Sequence, residues 1–142
     1  MIKMKDLIKE IEEDGGVEYV SPEETDVDYY NDLNRIEVES GLYIYPWKHL
    51  SVIAIKNGRC VGGMYEGIIH NTFSFDVIVD KAFRNQRIGT KLIDIGISDY
   101  KEIADSGIEF ELKVVNAHLI PHLEKRGLKI VEKTGQHILM KF

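Results

Sequence analysis

"FSFDVIVDKAFRNQRIGTKLID" (residues 73–94) decides how this chain is read. Residues 73–80 have the apolar, β-branched character of a strand, and two residues later "FRNQRIGTKLID" (83–94) opens a helical pattern. Cationic and amide side chains and then a glycine stand at the junction. A surface turn needs no such arrangement, but an anion-binding turn does. Backbone N–H groups at a helix start are unpaired and carry the positive end of the helix dipole, so phosphates settle there. Arg84, Arg87 and Lys91 add full charges, and Gly89 lets a ligand approach the backbone. The spacing is neither GxxxxGK[ST] nor GxGxxG, which excludes a Walker loop and a dinucleotide turn.

Outward from this stretch, the period of the pattern changes along the chain. "MKDLIKEIEED" places Met4, Leu7, Ile8 and Ile11 at helical spacing before "DGG". "SPEE" at 21–24 reads as a capping box, and Val27, Tyr30, Leu33 and Ile36 continue at intervals of three, predicting a second helix to about residue 37. From residue 50 the period is two, and three antiparallel strands are predicted, joined at "KNGR" and "HNT"; Asn57-Gly58 signals a type I′ hairpin. After Gly89 a helix carries Ile88, Leu92, Ile95, Tyr100 and Ile103 on one side and stops at "DSG" (105–107). "IEFELKVV" (108–115) alternates as a strand. A short helix follows Asn116, delayed by Pro121, and stops at Gly127; the chain closes in a hairpin turning at Lys133-Thr134-Gly135. The pattern predicts one mixed α/β domain.

Composition sets the outer bounds. The 142 residues include 44% apolar and 30% charged side chains, as in ordinary globular domains. No apolar run is long enough for a membrane span, and the N-terminus is too charged for a signal peptide. The one cysteine, Cys60, excludes an internal disulfide and suits a reducing cytoplasm. Residues 1–39 hold 13 acidic and 4 basic side chains, a net of −9, whereas residues 40–142 hold 11 and 14, a net of +3. The sum, −6, argues against non-specific nucleic-acid binding. An acidic first third can draw in a cationic ligand, or it can simply be a solvated helix face.

"VIVDKAFRNQRIGTKLID" resembles the coenzyme-binding segment of the GNAT superfamily of acetyl-CoA-dependent N-acetyltransferases. Their pattern, Arg/Gln-x-x-Gly-x-Gly/Ala, follows the fourth strand and opens the main helix. Arg84 and Gly89 match it, and Arg87 stands where the first glycine would be. Downstream, "VVNAHLIPHLEKRGLKIVE" is similar to the second signature, with Asn116, Glu124, Lys125 and Gly127 at matching spacings and Leu128 for the usual Phe. The two segments span residues 77–132; residues 1–49 carry no comparable signature. The resemblance implies a single domain over 1–142 with a central mixed, mostly antiparallel sheet flanked by helices. Residues 1–49 would be its variable, acceptor-side part, and 50–142 its core and coenzyme-binding part. It implies that the backbone of Val77, Ile78 and Val79 pairs with the pantetheine arm like an added strand. The N–H groups of Asn85, Gln86, Arg87, Ile88, Gly89 and Thr90, with Arg84, would hold the pyrophosphate. Asn116 would reach the coenzyme from the next strand's end; its plainer alternative is a helix cap.

Acetyl transfer needs a neutral amine. Stripping the proton from a lysine near pH 7 costs about 4–5 kcal/mol, against about 1 kcal/mol for an α-amine. A general base therefore matters most for a lysine or polyamine acceptor. Glu111 is the first candidate: it stands five residues before Asn116 in "FELKVVN", similar to the "Leu-Glu-Val-Arg-x-x-Asn" of members resembling ribosomal-protein N-terminal acetyltransferases, where that Glu is the base. Glu66 and Asp76 are weaker candidates. The usual acid, a Tyr before Glu-Lys, is replaced by Leu123. A thiol with a pKa near 8.5 leaves without help at a cost of about 2 kcal/mol. Water, Tyr43, Tyr45 or Tyr65 can substitute.

His118 and His122 have the spacing of a helical metal pair but lack a third ligand, so no metal is expected. Cys60 reads as a buried small hydrophobe, and Trp47 as a packing residue that can also line the acceptor pocket. The leading reading is direct transfer from acetyl-CoA to a cationic primary amine: a protein lysine, an N-terminus, a polyamine or an aminoglycoside. The acidic helix at 22–39 would border the acceptor. Leu123 motivates the alternative, a GNAT-like module that binds coenzyme or a protein partner without turnover. A third reading is an inhibitor or assembly protein that keeps only the fold. Either a monomer or a homodimer is compatible with the sequence.

Overall fold

Alternation sets the frame. A computed structural model describes residues 15–142 and shows seven strands in one sheet: across it lie β1 (Val17–Val20), β2 (His49–Lys56), β3 (Arg59–Ile69), β4 (Thr72–Val79), β5 (Glu109–Lys113), β7 (His137–Lys141) and β6 (Lys129–Thr134), in that order. Strands β2 (His49–Lys56), β3 (Arg59–Ile69) and β4 (Thr72–Val79) form the antiparallel meander expected from the period-two pattern. Asn57 (φ 52°) and Gly58 (φ 73°) both take left-handed backbone, as a type I′ turn requires. The second hairpin uses His70 (φ 49°) and Asn71 (φ 63°) in the same way.

Strand β5 (Glu109–Lys113) runs parallel to β4, and β7 (His137–Lys141) joins it antiparallel, with β6 (Lys129–Thr134) at the edge. Side chains alternate along β4. Phe75, Val77 and Val79 face helix α2 (Ile88–Ile103), packing with Ile88 and Leu92, whereas Ile78 packs with Leu33 and Ile36 of helix α1 (Tyr30–Ser40) on the other face. Farther along, α2 and helix α3 (Ile120–Lys125) bury Ile97, Tyr100 and Leu123 against Phe73, Phe110, Leu112 and Met140. The Tyr100 hydroxyl donates to the Ile108 carbonyl at 2.7 Å, so this large ring is buried without an orphaned polar atom.

Several expectations need correction. The predicted first helix, around residues 4–13, lies outside the described residues. The second begins at Tyr30, not after Ser21: Pro22–Glu24 is only a 3-10 turn, and the Ser21 side chain makes no cap bond. Local bonds compete with the helix there, since Thr25 Oγ1 accepts from the Val27 N–H (3.1 Å) and Asp28 Oδ1 from the Tyr30 N–H (3.2 Å). The helix runs on to Gly41, whose φ of 66° ends it. Strand β1 (Val17–Val20), antiparallel to β2, was not anticipated. On α2 the buried stripe includes Ile93 and Ile97, and Ile95 lies at its margin. Strand β5 stops at Lys113, a 3-10 turn takes Val114–Leu119, and Pro121 sits in the first turn of α3. The last hairpin turns at Gly135-Gln136, between Thr134 and its partner His137.

Candidate active site

The site begins where two strands part. Strands β4 and β5 pair only at Thr72↔Glu109 and Phe73↔Phe110, then diverge. The Asp80 N–H donates to the Val61 carbonyl at 2.8 Å, and the register runs unbroken from Gly62↔Val79. Antiparallel alternation then turns the N–H and C=O of Ile78 toward β3, and those of Val77 and Val79 into the gap. Of the three residues expected to offer backbone to a ligand, Val77 and Val79 can do so; Ile78 spends its groups on Gly63.

Beyond the gap the chain tightens. Asp80 Oδ1 accepts from the Ala82 N–H (3.0 Å) and caps the turn Lys81–Phe83, while Arg35 of α1 donates to Asp80 Oδ2 at 2.8 Å. The Arg35 guanidinium holds the Asp80 carboxyl below the usual carboxylate range. Asn85 (φ 67°) and Arg87 (φ 63°) follow in left-handed backbone, a geometry that curls successive N–H groups into a concavity at the start of α2. Arg87, in the place of the pattern's first glycine, keeps a glycine's conformation at a cost of about 1 kcal/mol.

These pieces enclose a cleft of about 620 Å³. It is lined by Val77, Ile78, Val79, Arg84, Asn85, Arg87, Ile88, Gly89, Thr90 and Asn116 among the expected residues, and also by Ser40, His118 and Leu119. Gln86 is not in its lining; its Oε1 accepts from Lys56 Nζ at 2.6 Å. Lys91 is turned toward the Tyr19 ring, 6.0 Å from its centroid. A Cβ on Gly89 would meet only Val79 Cγ2, at 3.6 Å, so no neighbouring protein atom demands a glycine there.

A second cavity, of about 280 Å³, opens on the far side of the gap and shares Phe75, Asp76, Leu112 and Asn116 with the first. Its walls are Tyr45 and Trp47, stacked at 6.0 Å, and the Ile69-His70 hairpin. Glu111 reaches it, on the face opposite Leu112, with Oε1 2.7 Å from Nδ1 of His137. Asp76 is bound there to Lys48 at 2.8 Å, the side chains only 2% and 1% exposed. Trp47 packs and lines at once: a Cβ on Gly67 would lie 2.7 Å from its ring.

Other expected residues fall elsewhere. Glu66 lines neither cavity; it is buried, and burial pushes its carboxyl up to about 8. Of the three tyrosines weighed as acids, Tyr45 reaches the second cavity, whereas Tyr43 is exposed and Tyr65, pushed up to about 12 by burial, lines neither. Leu123 is fully buried. His118 and His122 part company, the first lining the larger cleft and the second bonding Asp94 at 2.8 Å. Among the described residues no group of three or more His, Cys, Asp or Glu is placed to hold a metal. Burial pushes the Cys60 thiol up to about 11, which suits a core residue. The acids of α1 do not border the second cavity: Asp32 is tied to Arg59 (2.6 Å) and Glu39 to Arg35 (3.4 Å). The N-terminal part contributes instead through Tyr45, Trp47 and Lys48. Sequence reasoning missed Lys48 and His137; neither belongs to a local motif.

Comparison with known proteins gives this geometry its context. No curated protein sequence matches significantly. Among solved structures, the chain is similar to the ribosomal-protein-S18-alanine N-acetyltransferase of Escherichia coli, with TM-score 0.52, 16% identity, and coverage of 87% of this chain and 91% of that one. It is similar to the PaiA N-acetyltransferase of Thermoplasma acidophilum in complex with coenzyme A, with TM-score 0.52, 15% identity, and coverage of 89% and 99%. An acyl-CoA N-acyltransferase of Pseudomonas aeruginosa aligns with TM-score 0.60 and 15% identity over 87% and 97% of the two chains. At such identities these likenesses establish the fold. A sequence model of the Acetyltransferase (GNAT) family matches residues 6–128, and the mixed sheet whose fourth and fifth strands part agrees with it; the chain belongs to the GNAT acetyltransferase family.

Proposed function

We propose that this protein moves an acetyl group from acetyl-CoA to a primary amine by direct attack in a ternary complex. The observation that carries the reading is the meeting of two cavities at the β4–β5 opening, with Asp76, Leu112 and Asn116 at their junction. The larger suits the coenzyme. Val77 and Val79 offer free backbone groups to an amide-bearing arm, and Arg84, Arg87 and the N–H groups of residues 88–90 offer a seat for a diphosphate. The smaller suits the amine, with Glu111 as the base that takes its proton and Asn116 beside the reacting carbonyl.

Charge on the acceptor side narrows the expected cationic acceptor. Asp76 and Glu111 stand against Lys48 and Lys113, a balanced set. One ammonium, as on a protein lysine, an N-terminus or a small monoamine, fits that balance better than a polyamine or an aminoglycoside. We also propose a cytoplasmic setting, where a lone thiol stays reduced. Incubation of the protein and acetyl-CoA with a panel of amines, peptides and lysate proteins, read by mass spectrometry and thiol release, tests the reading. Acetylation of no amine would overturn it. The full burial of Leu123 favours one other reading, coenzyme binding without turnover. That reading requires a CoA-induced rise in melting temperature with no thiol release when amine is added.

A further inference from the structure

Glu111 and His137 come from different strands and meet without any local motif. The register sets Leu139 opposite Glu111 and His137 opposite Lys113, so the two side chains are diagonal neighbours on one face of the sheet. They bring Nδ1 and Oε1 to 2.7 Å. Both line the smaller cavity beside Asn116. The imidazole is 54% exposed and the carboxylate 27%, and pairs this wet add little to stability. What the contact does accomplish is to hold one oxygen of the Glu111 carboxylate where it lines the smaller cavity.

We propose that His137 is a positioning residue for Glu111. With its proton on Nδ1, the ring donates to Oε1 and leaves Oε2 directed at the acceptor amine. This rests on the transferase reading above. In the step it serves, Oε2 takes one proton from the acceptor ammonium and the freed lone pair attacks the thioester carbonyl. The C–N bond forms, and the C–S bond breaks with its electron pair leaving on sulfur. The second N–H proton passes to the thiolate, and Glu111 returns its own to solvent.

The test compares wild type, His137→Ala, His137→Asn, Glu111→Gln and the double variant Glu111→Gln/His137→Ala, by melting temperature and by kcat and KM for the acceptor. In His137→Ala, kcat should fall roughly 10-fold, with acceptor KM within about twofold and an unchanged melting temperature. His137→Asn, whose amide N–H stands near the position of Nδ1, should restore most of the rate. The double variant should be no slower than Glu111→Gln alone. An equal loss in the Glu111→Gln background, or full activity in His137→Ala while Glu111→Gln is slow, overturns the proposal. Full activity in Glu111→Gln removes the base and the positioning residue together but leaves the transferase intact. Nitrogen-15 imidazole spectra decide the geometry even if no amine is acetylated. A bonded Nδ1–H that disappears in Glu111→Ala is expected, and a ring protonated only at Nε2 in wild type overturns the inference.

Discussion

Replacing Gly89 by alanine separates folding from ligand binding at a single methyl group. The added Cβ would sit 3.6 Å from Val79 Cγ2, an ordinary van der Waals contact, in the first turn of α2. Alanine is the better helix former by up to about 1 kcal/mol, so the ligand-free protein should melt at the same temperature or up to about 4 °C higher. Gly89 also lines the large cleft, where the N–H groups of residues 88–90 would hold a diphosphate. A methyl that displaces the diphosphate from one charge-assisted hydrogen bond costs about 2 kcal/mol, or roughly 30-fold in Kd. At a CoA concentration of about 100 times the wild-type Kd, ligand stabilises wild type by about 2.7 kcal/mol and the variant by only about 0.9 kcal/mol. Differential scanning fluorimetry with and without CoA reads both quantities, and titration calorimetry gives Kd directly. An unchanged CoA shift in Gly89→Ala would refute the seating of a diphosphate on this helix start. A lower melting temperature without ligand would refute the claim that the position is open.

Arg87→Gly should raise stability by about 1 kcal/mol, by relieving left-handed backbone, while weakening CoA; Arg87→Ala should weaken CoA with no gain in stability, as denaturant melts of both would record. Glu66 carries a raised folded-state pKa, so the folded chain holds a proton that the unfolded chain has lost. Its contribution to stability is full below about 4.5 and is lost as pH rises toward about 8. Glu66→Gln should therefore flatten the pH dependence of the melting temperature in that window and add on the order of a few kcal/mol at pH 8. Lys48→Met strands the buried Asp76 carboxylate and should cost about 3–5 kcal/mol, whereas the paired replacement Lys48→Met/Asp76→Leu should recover most of it. Equal losses in the single and paired variants would show that the two charges do not depend on each other.

The part of the fold that could be read from the sequence is the part where periodicity and turn chemistry agree. Strands β4 and β5 alternate, β2 and β3 are β-rich apolar runs, and Asn57-Gly58 and "DSG" punctuate the stretch from His49 to Lys113, so the meander, the long helix and the fifth strand were all legible. Ser21-Pro22-Glu23-Glu24 misled because a capping signal is local, and farther on the side chains of Thr25 and Asp28 take the Val27 and Tyr30 N–H groups that a continuing helix would need. The strand Val17–Val20 is too short to show a period, and it exists because β2 has a free edge to pair with. Most of the larger cleft's expected lining is nearly contiguous in sequence, from Val77 to Thr90, so the sequence alone could group it. The lining of the smaller cavity is not: Glu111 and His137 lie 26 residues apart, and Lys48 and Asp76 lie 28 apart. Only the order of strands in the sheet brings them together.

The Arg35–Asp80 contact has a practical consequence for anyone who would re-engineer this protein. Asp80 shapes the turn that precedes Arg84, yet its partner belongs to α1, in the part of the chain with no coenzyme signature. Transplanting the first fifty residues from a cousin, to import that cousin's amine preference, would swap out the clasp on this turn as well. A chimera that keeps an arginine at position 35 should still load coenzyme, and one that omits it would mimic a failure of substrate choice while actually suffering from a loosened turn.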